Sequence, residues 1–167
     1  MEFTFGGSPV TLYGDTLKVG DVFPDFTLTD SSLKDVNSED LTGPKVFLTF
    51  PSVDTSPCTL ELLTFNDRLE DLKHLKVYGV SMDLPFAQER FVKANAGDNI
   101  IMLSDHKYRM FGEKTGTYME ELAILARFAF VVDKDNVITY IESVPEAGDE
   151  LNYDHVLTEA EKVFQMG

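Results

Sequence analysis

The stretch that decides the fold reads Val46-Phe47-Leu48-Thr49-Phe50-Pro51-Ser52-Val53-Asp54-Thr55-Ser56-Pro57-Cys58 and runs on as Thr59-Leu60-Glu61-Leu62-Leu63-Thr64-Phe65-Asn66. Its opening run, Val46 to Phe50, is the kind of continuous apolar segment that forms a strand inside a sheet covered on both faces. From Cys58 onward Leu62, Phe65, Leu69 and Leu72 recur at three- and four-residue spacing, which is one face of a helix. Glu61, Asp67, Arg68, Glu70, Asp71 and Lys73 are assigned mostly to the opposite side. Pro57 suits the first helical turn, where its missing N–H costs nothing. Val77 to Met82 is the next strand. Strand, helix and strand in this order make a βαβ unit with parallel strands.

Working outward, Glu2 to Phe5 and Val10 to Tyr13 flank Gly6-Gly7-Ser8-Pro9 and predict a hairpin. An extended segment follows from Val19 and ends in a strand near Phe26 to Thr29. Ser31 to Asp35 is a turn, Ser38 to Leu41 a short turn or helical piece, and Gly43-Pro44 breaks the chain before the buried strand. Leu84 to Lys93 forms a helix and Ile100 to Leu103 a short strand. Tyr108 to Phe111 and Met119 to Leu125 are helix or loop. Arg127 to Asp133 and Val137 to Ile141, around Lys134-Asp135-Asn136, predict a second hairpin. A closing helix spans Asp154 to Phe164, with Val156, Leu157, Ala160 and Phe164 inward. The periodicity establishes an α/β class. The order of elements is that of a thioredoxin-like fold, a central mixed sheet flanked by helices with an N-terminal β-hairpin, although periodicity alone does not select it.

Composition narrows the function. At 167 residues the chain is expected to be one domain, residues 1–167. A net charge of −15 argues against nucleic acid or an anionic membrane as partner, since both need surface Lys and Arg. No apolar run approaches the ~20 residues of a membrane span. The N-terminus has neither the basic nor the apolar region of a signal peptide, so a cytoplasmic location is expected. A single cysteine excludes an internal disulfide, and with the scattered His74, His106 and His155 it makes no zinc spacing. Those histidines are expected to be surface or packing residues, and most of the phenylalanines core or interface.

The lone thiol sits where a strand gives way to a helix. Unpaired N–H groups and the helix dipole favour negative charge there, so a thiolate forms most easily at this point. A nearby guanidinium would help further, because it stays charged and donates several hydrogen bonds. Thr55, three residues before Cys58, could turn its hydroxyl toward the sulfur and toward an oxygen bound beside it. Pro51 would stiffen the approach and exclude water. Such a pocket holds two adjacent oxygens in line with a sulfur, as peroxide reduction requires. Taken singly, each residue has a plainer reading: Thr55 an N-cap, Pro51 the end of a strand, Cys58 a packed thiol.

Pro51-x-x-x-Thr55-x-x-Cys58 matches the peroxiredoxin active-site signature. Pro51-Ser52-Val53-Asp54-Thr55 with Cys58 and Phe65-Asn66 resembles the thiol peroxidase branch of that family. So do Ser81-Met82-Asp83-Leu84-Pro85-Phe86-Ala87-Gln88 before Arg90-Phe91, Gly7-Ser8-Pro9-Val10-Thr11, and Met102-Leu103-Ser104-Asp105. Leu125-Ala126-Arg127, ahead of the Phe128 to Asp133 strand, is similar to the segment that carries the family's active-site arginine. The resemblance implies a peroxidatic Cys58 that becomes a sulfenic acid, with Thr55 bridging thiolate and peroxide, Arg127 stabilising both, and Pro51 shielding the site. It implies that no metal, haem or flavin takes part. It implies hydrogen peroxide and small alkyl hydroperoxides as substrates, thioredoxin or a small thiol as reductant, and a homodimer through the active-site face, with loops near Met82 to Phe86 and Tyr108 to Gly116.

Two departures stand out. Where the family carries a resolving cysteine after Arg-aromatic, this chain has Arg90-Phe91-Val92. Pro57 replaces the branch's usual aliphatic residue and would stiffen local unwinding of the helix. The sulfenic acid is then resolved by an external thiol or by an intermolecular route, or the chain is an altered form trapped before resolution; the alternative function is a peroxide-sensing redox interaction protein with little turnover. A third reading, a non-catalytic fold with a packed cysteine, stays open on the residues alone.

Overall fold

The computed structural model describes residues 2–95 and 99–166, except the side chains of 56–59 and 166. In chain order the elements are β1 (Phe3–Phe5), β2 (Ser8–Val10), β3 (Thr27–Thr29), β4 (Asp35–Asn37), a 3-10 turn (Ser38–Asp40), β5 (Lys45–Thr49), α1 (Ser56–Arg68), β6 (Val77–Ser81), α2 (Pro85–Asn95), β7 (Ile101–Ser104), α3 (Met110–Thr115), β8 (Tyr118–Met119), β9 (Ile124–Leu125), β10 (Phe128–Val132), β11 (Ile138–Ser143) and α4 (Tyr153–Met166). The main sheet has seven strands in the order β11-β10-β5-β6-β7-β3-β4. β5, β6 and β7 are parallel, as the βαβ reading requires, with Val46 opposite Val77 and Tyr78 opposite Ile101. β10 and β11 extend the sheet antiparallel on one side and β3 and β4 on the other, so it is mixed.

Alternation along β5 divides the core. Val46, Leu48 and Phe50 pack on one face against Leu62 and Phe65 of α1, Leu69 just beyond it, and Val156, Leu157 and Ala160 of α4. Phe47 points to the other face, into a cluster with Phe23, Phe26, Phe111 and Phe130. There the rings meet at centroid separations of 4.7 to 6.1 Å, mostly edge-on or tilted, as aromatic quadrupoles prefer. Every residue of β5, β6 and β10 is buried, which is why their sequences carry no polar alternation. Among the described residues, no helix is long and apolar enough to cross a membrane.

The structure differs from the sequence expectation in four places. The N-terminal hairpin closes over Gly6-Gly7 alone, and Ser8-Pro9 belong to its second strand. Both glycines have positive φ, +59° and +82°, the conformation a tight two-residue hairpin turn demands. Asp35–Asn37 is a short edge strand rather than part of a turn. Met119 to Leu125 is neither helix nor plain loop, because Tyr118–Met119 pairs with Ile124–Leu125. Finally, Glu61 does not lie on the polar side of α1. It is 2% exposed and faces the core.

A clasp fixes the N-terminal hairpin. The Glu146 carboxylate accepts from Thr4 Oγ1 at 3.0 Å and from the Gly6 and Gly7 N–H groups at 3.2 and 2.7 Å. Beside it the Ala147 N–H donates to the Thr4 carbonyl at 2.9 Å.

Candidate active site

The end of β5 delivers the chain to the site. Pro51 lies two residues beyond the last residue of that strand and is buried. Thr55 is the residue before the first helical turn of α1, with extended backbone (φ −94°, ψ 136°). Its hydroxyl does not cap the helix. Instead, Thr55 Oγ1 donates to the Ser52 carbonyl at 3.1 Å, which leaves its lone pairs to accept. Ser56, Pro57 and Cys58 then form the first turn of α1. The Cys58 side chain lies outside the described residues, but its backbone occupies the position where helix N–H groups and dipole favour an anion.

Arg127 comes to the same helix from the far side of the sequence. It stands immediately before β10, is only 2% exposed, and pairs with the carboxylate of Glu61 in α1. Its Nε donates to the Ala147 carbonyl at 3.0 Å. Its backbone is bracketed as well: Thr49 Oγ1 donates to the Ala126 carbonyl at 2.7 Å and accepts from the Phe128 N–H at 3.1 Å. One hydroxyl of β5, two residues before Pro51, thus holds the peptides on both sides of Arg127.

Glu61 is the side chain that the sequence pattern misassigned. Burial pushes its carboxyl up to about 7, opposed by the neighbouring Arg127 charge and the Tyr153 hydroxyl of α4, while Glu150 pushes the same way as burial. The signal was present in the spacing, since Cys58, Glu61, Phe65 and Leu69 follow one another at three and four residues and so share a helix face. The structure therefore brings Arg127 to α1 one turn after Cys58.

Asp83 is the second residue that sequence reasoning passed over. From just beyond β6 its carboxylate accepts from Ser52 Oγ at 2.6 Å, the Val53 N–H at 2.9 Å and Ser81 Oγ at 2.7 Å. It pins the loop between Pro51 and Thr55 to the neighbouring strand. Asp54 in that loop also pairs with Arg90 of α2 at 2.7 Å, but both side chains are largely exposed, so the pair adds little stability. Val92, on α2, is half-buried and lines a cleft of about 400 Å³ with Gln88, Ile100 and Met102. His74 is on the surface, 3.1 Å from Glu161, in keeping with its expected role.

With this geometry in hand, the chain can be set beside known proteins. The redoxin family profile matches residues 18–157. The chain is 47% identical to a thiol peroxidase of Clostridium acetobutylicum over 161 residues, spanning 96% of this chain and 98% of that protein. It is 42% identical to a thiol peroxidase of Bacillus subtilis over 165 residues, spanning 98% and 99% of the two. Among solved structures, a peroxiredoxin-like protein from Aquifex aeolicus matches with a TM-score of 0.88 at 35% identity, covering 97% of this chain and 96% of that one. A thiol peroxidase from Chromobacterium violaceum matches with a TM-score of 0.87 at 25% identity, covering 100% and 99%.

Proposed function

The chain belongs to the redoxin family and, within it, to the thiol peroxidase branch of the peroxiredoxins, and from that premise we propose that it reduces hydrogen peroxide and small alkyl hydroperoxides at Cys58. The observation that carries this reading is the buried Arg127, fixed by Glu61 one helical turn from Cys58. A guanidinium held there stabilises a thiolate and the charge that develops on a breaking O–O bond, and its rigidity means little reorganisation during the reaction.

In the proposed cycle the Cys58 thiolate attacks the terminal peroxide oxygen. An S–O bond forms, the O–O bond breaks, and the departing alkoxide or hydroxide takes a proton to leave as alcohol or water. Thr55 accepts a hydrogen bond from the peroxide O–H, Arg127 donates to the oxygens, and Pro51 keeps bulk water away from the thiolate. The sulfenic acid then condenses with an external thiol, releasing water and leaving a mixed disulfide. A second thiol equivalent reduces that disulfide and restores Cys58. Thioredoxin or a small thiol supplies these equivalents in the cytoplasm. The external route follows from the count, since the chain holds one cysteine and Val92 stands at the resolving position.

The test is stoichiometry and turnover. The native protein should consume one equivalent of peroxide per chain without a reductant and turn over many times with thioredoxin or a small thiol, with mass spectrometry showing sulfenic acid and then regenerated thiol. Cys58→Ser should consume none, and residual consumption by that variant would sink the proposal. The single cysteine also favours a second reading, a redox sensor whose oxidised form binds a partner. A single oxidation with no turnover under any thiol donor would select it. We also propose a homodimer. Leu84 and Phe86, in the loop and helix start expected to lie at the interface, are large apolar side chains left exposed, Phe86 by 62%. Sedimentation at micromolar concentration should give twice the chain mass of 18.7 kDa.

A further inference from the structure

We propose that the cleft between α2 and β7 is a binding site for a small amine, an apolar body ending in an N–H donor, and that its filling is passed by a chain of hydrogen bonds to the loop ahead of α1. The cleft is built from α2, β7 and the turn after β3, none of which carries Cys58, Thr55 or Arg127.

Its volume is about 400 Å³, within the roughly 300–1,000 Å³ of pockets that take small ligands. Val92 of α2, Ile100 just before β7 and Met102 within β7 supply an apolar wall. Gln88 of α2 also lines it and is 0% exposed. The hydrogen bonds of Gln88 fix which way its amide faces. Nε2 donates to the Leu103 carbonyl at 2.9 Å and to Ser81 Oγ at 3.0 Å. A carbonyl can only accept, so the nitrogen must face Leu103, and Oε1 is the acceptor left over. That oxygen is buried, and no donor among the described residues reaches it. A buried acceptor without a donor carries a desolvation cost, which a ligand that donates to it removes.

The charges of the lining select a cation. Glu89 and Lys93, both on α2, pair with each other at 3.0 Å and largely cancel. Asp30, in the turn after β3, accepts from the Ser32 and Lys34 N–H groups through Oδ1, at 2.9 and 3.0 Å. Two neutral amides leave its negative charge uncancelled. An ammonium group therefore finds an acceptor in Gln88 and a counter-charge in Asp30, whereas an anion would meet a carboxylate.

Gln88 also connects the cleft to the loop that precedes α1. Its Nε2 donates to Ser81 Oγ, and Ser81 Oγ donates to the Asp83 carboxylate at 2.7 Å. That carboxylate accepts from Ser52 Oγ at 2.6 Å and the Val53 N–H at 2.9 Å. A donor on Oε1 polarises the amide and makes Nε2 a stronger donor, and hydrogen bonds in a chain reinforce one another. A ligand in the cleft thus tightens the hold of Asp83 on Ser52 and Val53.

Titration of the reduced full-length chain with phenethylamine, without peroxide, tests both parts, read from amide resonances in proton–nitrogen correlation spectra. The Val92 and Met102 amides should shift saturably, and the Val53 amide should move with the same midpoint. Phenethyl alcohol keeps a donor and lacks the charge, so it should bind about two- to fivefold more weakly, and Asp30→Asn should weaken phenethylamine by a similar factor. The trimethylated phenethylammonium ion keeps the charge and has no N–H, so it should bind about tenfold more weakly or not at all. Val92→Phe narrows the cleft and should abolish the shifts; if that variant does not fold, the trimethylated ion on the wild type decides. No saturable shift, shifts confined to other surfaces, or equal binding of the trimethylated ion overturns the site. Binding that leaves Val53 unmoved overturns the link to the loop. Peroxide consumption is measured on a separate sample, and its absence would count against the reading of Cys58 while the outcome of the titration stands.

Discussion

Arg127 and Glu61 form a buried ion pair, and the value of such a pair lies in its being complete. Truncating Arg127 to Ala leaves a carboxylate in the core without its cation, a loss on the order of 3–5 kcal/mol when the charge persists. Glu61 can escape that cost by taking a proton, and burial already pushes it to about 7. Arg127→Ala should therefore be destabilised by the full amount at pH 8 and by clearly less at pH 5.5, as read from urea midpoints at the two pH values. Asp83 acts through geometry instead. Asp83→Asn turns one of its acceptor sites into a donor facing the Ser52–Val53 loop or Ser81. Peroxidase kcat/KM should fall by roughly 10- to 100-fold, the scale of a small misplacement of reacting groups, with a stability loss of only about 1–2 kcal/mol. Steady-state kinetics beside thermal unfolding would separate the two effects.

At the scale of elements, β5, α1 and β6 could be read directly because a strand buried on both faces and an amphipathic helix leave unmistakable periods in the sequence. The Phe128 hairpin was equally plain. Tyr118–Met119 and Ile124–Leu125 were not, because two-residue strands have no period and are held by their neighbours. Within α1, Glu61 was misassigned because its charge suggested solvent, although its spacing from Phe65 pointed inward. Asp83 was invisible because its loop partners lie some thirty residues away, as the separations of 31 and 30 show. Helix α3 illustrates a third kind of hidden information. Its start is held by the buried Asp105, which accepts from the Phe111 and Gly112 N–H groups at 3.1 and 2.8 Å. Burial raises the Asp105 carboxyl to about 6 despite these bonds. An acid raised on folding contributes stability that is complete below its unfolded pKa and lost as pH climbs through the folded one. Urea stability should therefore fall between about pH 4 and 6, by no more than about 3 kcal/mol from this group, and Asp105→Asn should remove its part of that slope. Glu61 adds a slope of the same sign that continues to about pH 7.

At the scale of the molecule, a net charge of −15 means that like charges repel across the surface, and a dimer would concentrate that repulsion. Raising sodium chloride from about 20 mM to 300 mM shortens the screening length several-fold. Calorimetry should show Tm rising by about 2–4 °C, the shift that roughly 1 kcal/mol produces in a chain of this size. An unchanged or lower Tm would mean that charge pairing across the surface already cancels the repulsion. The whole molecule also has a hydrogen-bonded path through it. The Thr4 carbonyl is held by the Ala147 N–H, and the carbonyl of that same residue receives Arg127 Nε. A pull on the N-terminal hairpin would thus travel through one residue, Ala147, to the guanidinium. Cargo tethered to this end of the chain would act as a mechanical load on the proposed catalytic centre, and a tether at the other end would spare that path.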